Sequence, residues 1–391
     1  MLRSLFSGIS GLRAHQAMLD VTGNNIANVN TVGFKSSLTQ FQDTLSQELK
    51  GAGAPQAGVG GTNPAQVGLG VRVAGITTNF QQGAAQLTSR STDMMINGDG
   101  FFTVRSGSEQ LYTRAGSFNF DSLGQLVTAD GGLVQGWAAT NGVIDTNKPL
   151  TDLKLPIGTL MGAKATVNAT FAGNLPSDAA TATVLNRTIP VYDSAGNQRT
   201  LSLTFTCTAG AWTVGATDGV ATLAPQAMTF NGTGALTGPA SVTVDGIAVD
   251  LSALTGFAGL TSVEAGRQDG QAAGTLQSFA LNEDGTLVGQ FSNGLKEPIG
   301  QLALASFTNP TGLEKAGGSL YRTTTNSGAP MVGTAGTSGR GSLAGGALEM
   351  SNVDLAAEFT NLIIAQRGYQ ANARVITTSD ELLQELVNLK R

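Results

Sequence analysis

The sequence predicts a mixed, mainly β protein. Its N- and C-terminal helices form a coiled-coil layer, and two β-rich domains lie between them, the second inserted in the first. Three observations carry this expectation. Apolar residues recur at alternating steps of three and four at both ends of the chain. Glycine, at 53 of 391 residues, is about twice its usual frequency and favours short strands joined by tight turns. A strand–turn–strand pattern occurs at 120–127 and loosely again at 281–288, with an Ala-, Thr- and Gly-rich stretch between the two copies. A chain this long exceeds one ordinary domain.

The N-terminal helix carries Leu2, Leu5, Ile9, Leu12, Gln16 and Leu19 at heptad spacing, with one polar interruption. Gly8 and Gly11 each cost a helix about 1 kcal/mol against alanine, so this helix is expected to form only when packed. It runs out in the turn-forming string Asn24 to Asn30. Residues 1–30 together with 352–391 make the terminal helical domain. Residues 31–70 then read as a linker or extended connection, with a Gly-rich tract at 50–61.

The first β domain is expected at 71–146 plus 274–351, with Phe101 to Val104 as a strand and turns at Asn97-Gly98-Asp99-Gly100 and Asp130-Gly131-Gly132. The inserted outer domain spans 147–273, with strands at Leu201 to Thr206 and Val242 to Val244 and a turn at Asp193 to Asn197. Cys207, the one cysteine, continues the first of these strands and reads as a small apolar residue in a sheet. A second Gly-rich tract, 327–346, precedes the C-terminal helix, so both helices are expected on movable tethers. Ser351 with Asp354 resembles a capping box. Leu355, Phe359, Leu362, Gln366, Tyr369, Ala373, Ile376, Asp380, Leu383 and Val387 then keep the four–three spacing, and Lys390 and Arg391 sit where a helix C-terminus favours positive charge.

The chemistry of enzymes is absent from this pattern. The only histidine, His15, lies on the N-terminal helix, in a different module from Cys207, which argues against a metal site and against a Ser–His–acid triad. No phosphate-binding loop occurs. Gly339-Arg340-Gly341-Ser342-Leu343-Ala344 fits a dinucleotide fingerprint by spacing, but no strand–helix–strand unit surrounds it. The acidic turns lack the later glutamate of a calcium loop. No cofactor is expected. The net charge of −5 with no basic patch argues against nucleic acid, and no run of about 18 apolar residues predicts membrane insertion. The opening residues are cut by Ser and Gly and do not form a secretory signal.

Three stretches resemble the bacterial flagellar rod and hook family. The first is Ser7 to Leu12 running into Asp20 to Lys35, with Asn24, Asn25, Asn28, Asn30, Gly33 and Phe34 as its signature. The second is Ile96 to Phe102 with Tyr112 to Phe118, and the third Gly346 to Leu355 with Ala365 to Asn372. The opening Met1 to Gly8, the closing Glu385 to Lys390 and the size of the insertion are most similar to the family's hook members.

The resemblance implies a structural subunit that polymerises into a flexible curved tube, a universal joint passing torque from rod to filament. It implies export unfolded through the flagellar type III apparatus, without a cleaved signal, to the extracellular hook of the basal body. The implied partners are other copies of the chain, a distal rod protein, a hook cap protein and a hook–filament junction protein. Leu5, Ile9, Leu12, Leu19, Phe359, Leu362, Tyr369, Ile376 and Leu383 are the candidate self-assembly contacts on the inner helices. The alternatives are a distal rod member of the same family, rigid and straight, and a secreted β-rich adhesin.

Overall fold

A computed structural model describes residues 2–55, 58, 60–140, 142–155 and 160–388. Lys390 and Arg391, expected to complete the last helix, lie outside them. The chain divides into two compact units, Met1–Leu155 with Ala280–Val288 and Pro298–Arg391, and Pro156–Phe279 with Gly289–Glu297.

In the first unit, helix α1 (Leu2–Ala27) and helix α2 (Leu355–Asn388) pack along each other. They run antiparallel, because Gly8 faces Ile376, Gly11 faces Asn372 and His15 faces Gly368. The cap of α2 differs from the expected capping box. Asp354 itself is the cap, its Oδ1 accepting from the N–H of Ala356 at 2.9 Å and of Ala357 at 3.2 Å. Ser351 lies a turn too early and accepts from Val353 instead.

The stretch expected as an extended connection at 31–70 is extended but paired. The Ser37–Asp43 strand runs antiparallel to Val71–Thr78, and Ser46–Lys50 to Ala65–Gly68, so the chain goes out and returns as one two-stranded arm. Helix α1 lies on the base of this arm, where the Val71 N–H donates to Ser10 Oγ (3.2 Å) and the His15 ring meets Phe41 edge-on. The tract at 327–346 is likewise paired: Met331–Gly333 adds to Leu304–Ser306, and Ser342–Gly345 to Met94–Asn97.

The β core of this unit centres on the Phe101–Ser106 strand, which pairs antiparallel with Glu109–Thr113, Leu133–Ala138 and Leu304–Ser306. Phe101, Tyr112, Phe307, Leu313 and Tyr321 are buried together, with Phe80 against them. Their rings meet edge-to-face, Tyr112 and Phe307 at 4.9 Å. Burial pushes the Tyr112 phenol up to about 12 and raises Tyr321 as well. A phenol whose pKa is raised by folding stabilises the fold fully below its unfolded value near 10, and that contribution is lost as the pH rises toward the folded value. Alkaline unfolding, followed by the fluorescence of the buried Trp137, should therefore set in across this window. A Tyr112→Phe variant should hold its fold to higher pH.

The second unit is built from two four-stranded sheets. One is the antiparallel meander Val184–Tyr192, Gln198–Thr208, Ala211–Thr217 and Thr222–Ala227. In the other, Asn168–Asn174 lies parallel to Ile247–Thr255 and antiparallel to Glu264–Gln268, with Ser241–Val244 on the outer edge. Alternation of buried and half-buried residues from Leu201 to Cys207 sends Leu201, Leu203, Phe205 and Cys207 into a shared core with Phe171, Trp212 and Val249. Cys207 is thus a buried strand residue.

Candidate self-assembly surface

The face that α1 turns toward α2 is made of small and polar residues. Gly8, Gly11 and Asn25 are buried along it, and α2 presents Ala365, Gly368, Asn372 and Ser379. The contact is close. A Cβ at Gly11 would stand 2.6 Å from Asn372 Oδ1, and one at Gly368 2.5 Å from His15 Cε1. The Asn372 side chain is itself fixed by its Nδ2 donating to the Gly368 carbonyl at 2.8 Å. Small residues let two helix backbones approach, so the glycines that weaken α1 alone are what allow it to pair.

Apart from Ile376, which meets Gly8, the large apolar residues expected in the seam lie beside it. Leu5, Ile9, Leu12 and Leu19 fall one position around α1 from the line Gly8–Gly11–His15–Met18, and are half-buried. On α2, Leu362, Ile376 and Leu383 are half-buried, Ile376 against Gly8, whereas Phe359 is 52% and Tyr369 40% exposed. Part of this apolar periodicity thus stays exposed in a single copy of the chain.

A second α2 stripe follows from this. Ile364, Ala371, Val375 and Leu382 repeat at steps of seven, four and seven, all exposed, about a quarter turn from the Ala365–Asn372–Ser379 line at 3.6 residues per turn. Residues of the sequence-defined seam, Phe359 and Tyr369, flank the other side. The α1–α2 pair therefore carries apolar surface on both flanks of a narrow, closed seam.

The signature string forms the root of the helix pair. Asn25 is buried; its Nδ2 donates to the Ser37 carbonyl (2.8 Å) and to Glu358 of α2 (2.9 Å), and its Oδ1 accepts from the Ser37 N–H (3.0 Å). Asn28 closes the end of α1, donating to the Asn24 carbonyl and to Asn24 Oδ1, both at 2.9 Å, while Asn24 and Asn30 are otherwise exposed. Gly33 has φ +68°, and any Cβ there would lie 2.5 Å from the Ala115 nitrogen, so only glycine fits. Phe34 is half-buried with the Lys315 ammonium 5.1 Å over its ring.

Beneath this root is a charge cluster that the sequence did not single out. Lys35 Nζ lies 2.6 Å from Glu349 Oε1, and Arg114 Nη1 3.5 Å from Glu349 Oε2, with Lys35 and Glu349 fully buried and Arg114 3% exposed. Lys35 also donates to the Gln81 carbonyl at 2.6 Å, and the Gly83 N–H donates to Glu349 Oε1 at 2.9 Å. Burial pushes both cations below their ordinary values, and the neighbouring Glu349 carboxylate pulls each back. The Gly33 N–H donates to the Glu349 carbonyl (2.8 Å), the Ser36 N–H to Asn352 Oδ1 (2.8 Å), and Asn352 Nδ2 to the carbonyls of Asn79 and Gln81. The exit of α1 and the entry of α2 are thus fixed together on the β core, where movable tethers were expected. A cleft of about 730 Å³ opens beside the root, lined by Asn24, Asn28, Phe34, Lys315 and Tyr321 among others. Among the described residues, no group of three or more His, Cys, Asp and Glu is placed to hold a metal ion.

Comparison with known proteins places these features in a family. Residues 5–35 match the flagella basal body rod protein family and residues 344–389 the flagellar basal body rod FlgEFG protein C-terminal family. Residues 95–184 match the flagellar hook protein FlgE/F/G D1 domain, and 159–299 the flagellar basal body protein FlaE D2 domain. The flagellar hook protein FlgE of Borreliella burgdorferi is 42% identical and that of Treponema pallidum 40%, each over the whole of both chains. The flagellar basal-body rod protein FlgG of Bacillus subtilis is 34% identical, also over the whole of both chains. In fold, the chain is similar to the Helicobacter pylori flagellar hook protein FlgE2, with a TM-score of 0.53 at 15% identity, over 66% of this chain and 98% of that one. Alike in sequence from end to end to hook proteins, the chain belongs to the flagellar hook protein family.

Proposed function

We propose that this chain is a structural subunit of the bacterial flagellar hook, and that its α1–α2 pairs pack against those of neighbouring copies to form the inner wall of a tube. The observation that carries this is the pair itself. Its seam is closed by Gly8, Gly11, Ala365 and Gly368, while Phe6, Phe359, Ile363, Ile364 and Leu382 stay more than half exposed. Each such side chain gains roughly 1.5–3 kcal/mol when fully buried, so a second copy is the natural cover. The family's role supplies the wider setting: export through the flagellar type III apparatus, assembly outside the cell, and contacts with rod, cap and junction proteins. Torque transmission is part of the same reading, in which the helical inner wall is rooted on the β core of the first unit.

The experiment is assembly of the purified full chain, watched by electron microscopy. Curved or bendable tubes are expected; straight, rigid rods alone would favour the rod reading. Leu382→Asp places an unpaired charge on the outer stripe, at a cost of several kcal/mol once buried. The concentration needed for polymerisation should rise about 100-fold, at 1.4 kcal/mol per tenfold. The monomer's circular dichroism should not change, since Leu382 is exposed there. Unaltered assembly would remove this stripe from the interface.

A further inference from the structure

The second unit carries an exposed apolar feature that its own core does not use. The loop after the Ile247–Thr255 strand presents Phe257 and Leu260, 54% and 58% exposed. The loop is fixed by Asn174, which is 3% exposed and has every side-chain position filled. Its Nδ2 donates to the carbonyls of Phe257 (2.8 Å) and Leu260 (2.6 Å), and its Oδ1 accepts from the Phe257 N–H (2.7 Å) and Thr255 Oγ1 (2.8 Å). Asp178 takes the Gly259 N–H at 2.9 Å. Two ring-on-glycine contacts tie the loop to the neighbouring turn: Phe257 covers Gly234, and Phe230 covers Gly256. No charged residue occurs at 219–244 or 251–263, so the tip's own segments bring no ion to a contact, and the exposed Asp178 carboxylate beside them is already hydrogen-bonded to Gly259.

From the hook-subunit reading, on which this rests, we infer that the Phe257–Leu260 tip is a contact to a neighbouring copy of this chain in the polymer. The size of the tip selects that occupant. Its two exposed side chains offer roughly 200 Å² of apolar surface, far below the 1,200 Å² or so that a free-standing interface needs. It cannot hold a soluble partner alone. It can add to contacts that already hold a second copy alongside at high effective concentration. Because Asn174 and Asp178 have ordered the loop in advance, docking fixes little further backbone, which keeps a small contact favourable. A contact of this kind is weak enough to break and re-form as neighbours shift.

The test uses the buried Cys207, which leaves an engineered thiol as the accessible one. Full-length Leu260→Cys is polymerised beside the parent chain, and maleimide labelling is timed in monomer and polymer. Val220→Cys, on an exposed turn of the same unit, is the reference. Labelling at position 260 should slow by about tenfold or more in the polymer, relative to the reference, as for a site shielded except during opening. Equal rates in monomer and polymer, or equal slowing at both positions, would overturn the contact while leaving the hook reading intact. A parent chain that never polymerises would sink that reading and this contact with it. Should the parent polymerise while Leu260→Cys and Leu260→Ser do not, although both melt like the parent as monomers, the tip belongs to the contact.

Discussion

Glu349→Ala should destabilise the first unit by about 3–5 kcal/mol, because removing one member of a buried ion pair strands its partner without water. Here one carboxylate faces two cations, Lys35 at 2.6 Å and Arg114 at 3.5 Å, and its loss also leaves the Gly83 N–H without its acceptor. Lys35→Met should cost less. It leaves a carboxylate that still faces Arg114 and still accepts from Gly83, and it removes a cation whose burial is itself opposed by desolvation. Glu349→Gln should fall between, keeping the shape and an acceptor but not the charge. The two tryptophans make this measurable unit by unit, since Trp137 lies in the first and Trp212 in the second. In a Trp212→Phe background, urea unfolding followed at Trp137 should show the ordered series. In a Trp137→Phe background, the Trp212 transition should stay where it was. An unmoved Trp137 midpoint in Glu349→Ala would mean the cluster contributes nothing to holding the root.

That cluster shows where sequence reasoning stops. Lys35 and Glu349 are 314 positions apart, and neither lies in a pattern that names the other; only the fold joins them. The turns were legible because their chemistry is local. Gly124 and Gly285 take φ +76° and +85° at the two predicted hairpins, and Asp121 Oδ1 accepts from the N–H groups of Leu123 and Gln125 within its own turn. The helices were legible because a 3.6-residue repeat survives in one dimension, but the identity of their mating faces was not. Leu5, Ile9, Leu12 and Leu19 mark an apolar face, half-buried in one copy, without saying what it meets. The arm at 37–78 was hidden for the opposite reason. Leu45, Leu49, Val67 and Leu69 are exposed on its outer part, so the strands Ser46–Lys50 and Ala65–Gly68 lack the alternation that a half-buried face imposes.

Gly368→Ala should weaken the helix pair even though alanine is the better helix former. Intrinsic propensity alone would add about 1 kcal/mol of helix stability per glycine replaced. The new Cβ, however, would stand 2.5–2.8 Å from three atoms of the His15 imidazole, which is itself held against Phe41. Overpacking of this kind costs roughly 1–3 kcal/mol, so the sign should reverse. Gly23 is the control, for nothing lies within 4 Å of a Cβ built there. Gly23→Ala should stabilise α1 by close to the full propensity difference. The decisive variant is the double one. His15→Ala removes the ring and opens the space, so Gly368→Ala should become stabilising in that background, giving a coupling of at least about 1 kcal/mol between residues in contact. Thermal melts of the helical circular dichroism signal, run on the four members of the cycle at a concentration below polymerisation, measure that coupling. If Gly368→Ala stabilises equally with and without His15, the two residues are not in contact and the close seam between α1 and α2 is wrong. If the coupling appears, the glycines at 8, 11 and 368 are there to bring two helices together, and the apolar residues beside them are free to meet the next copy.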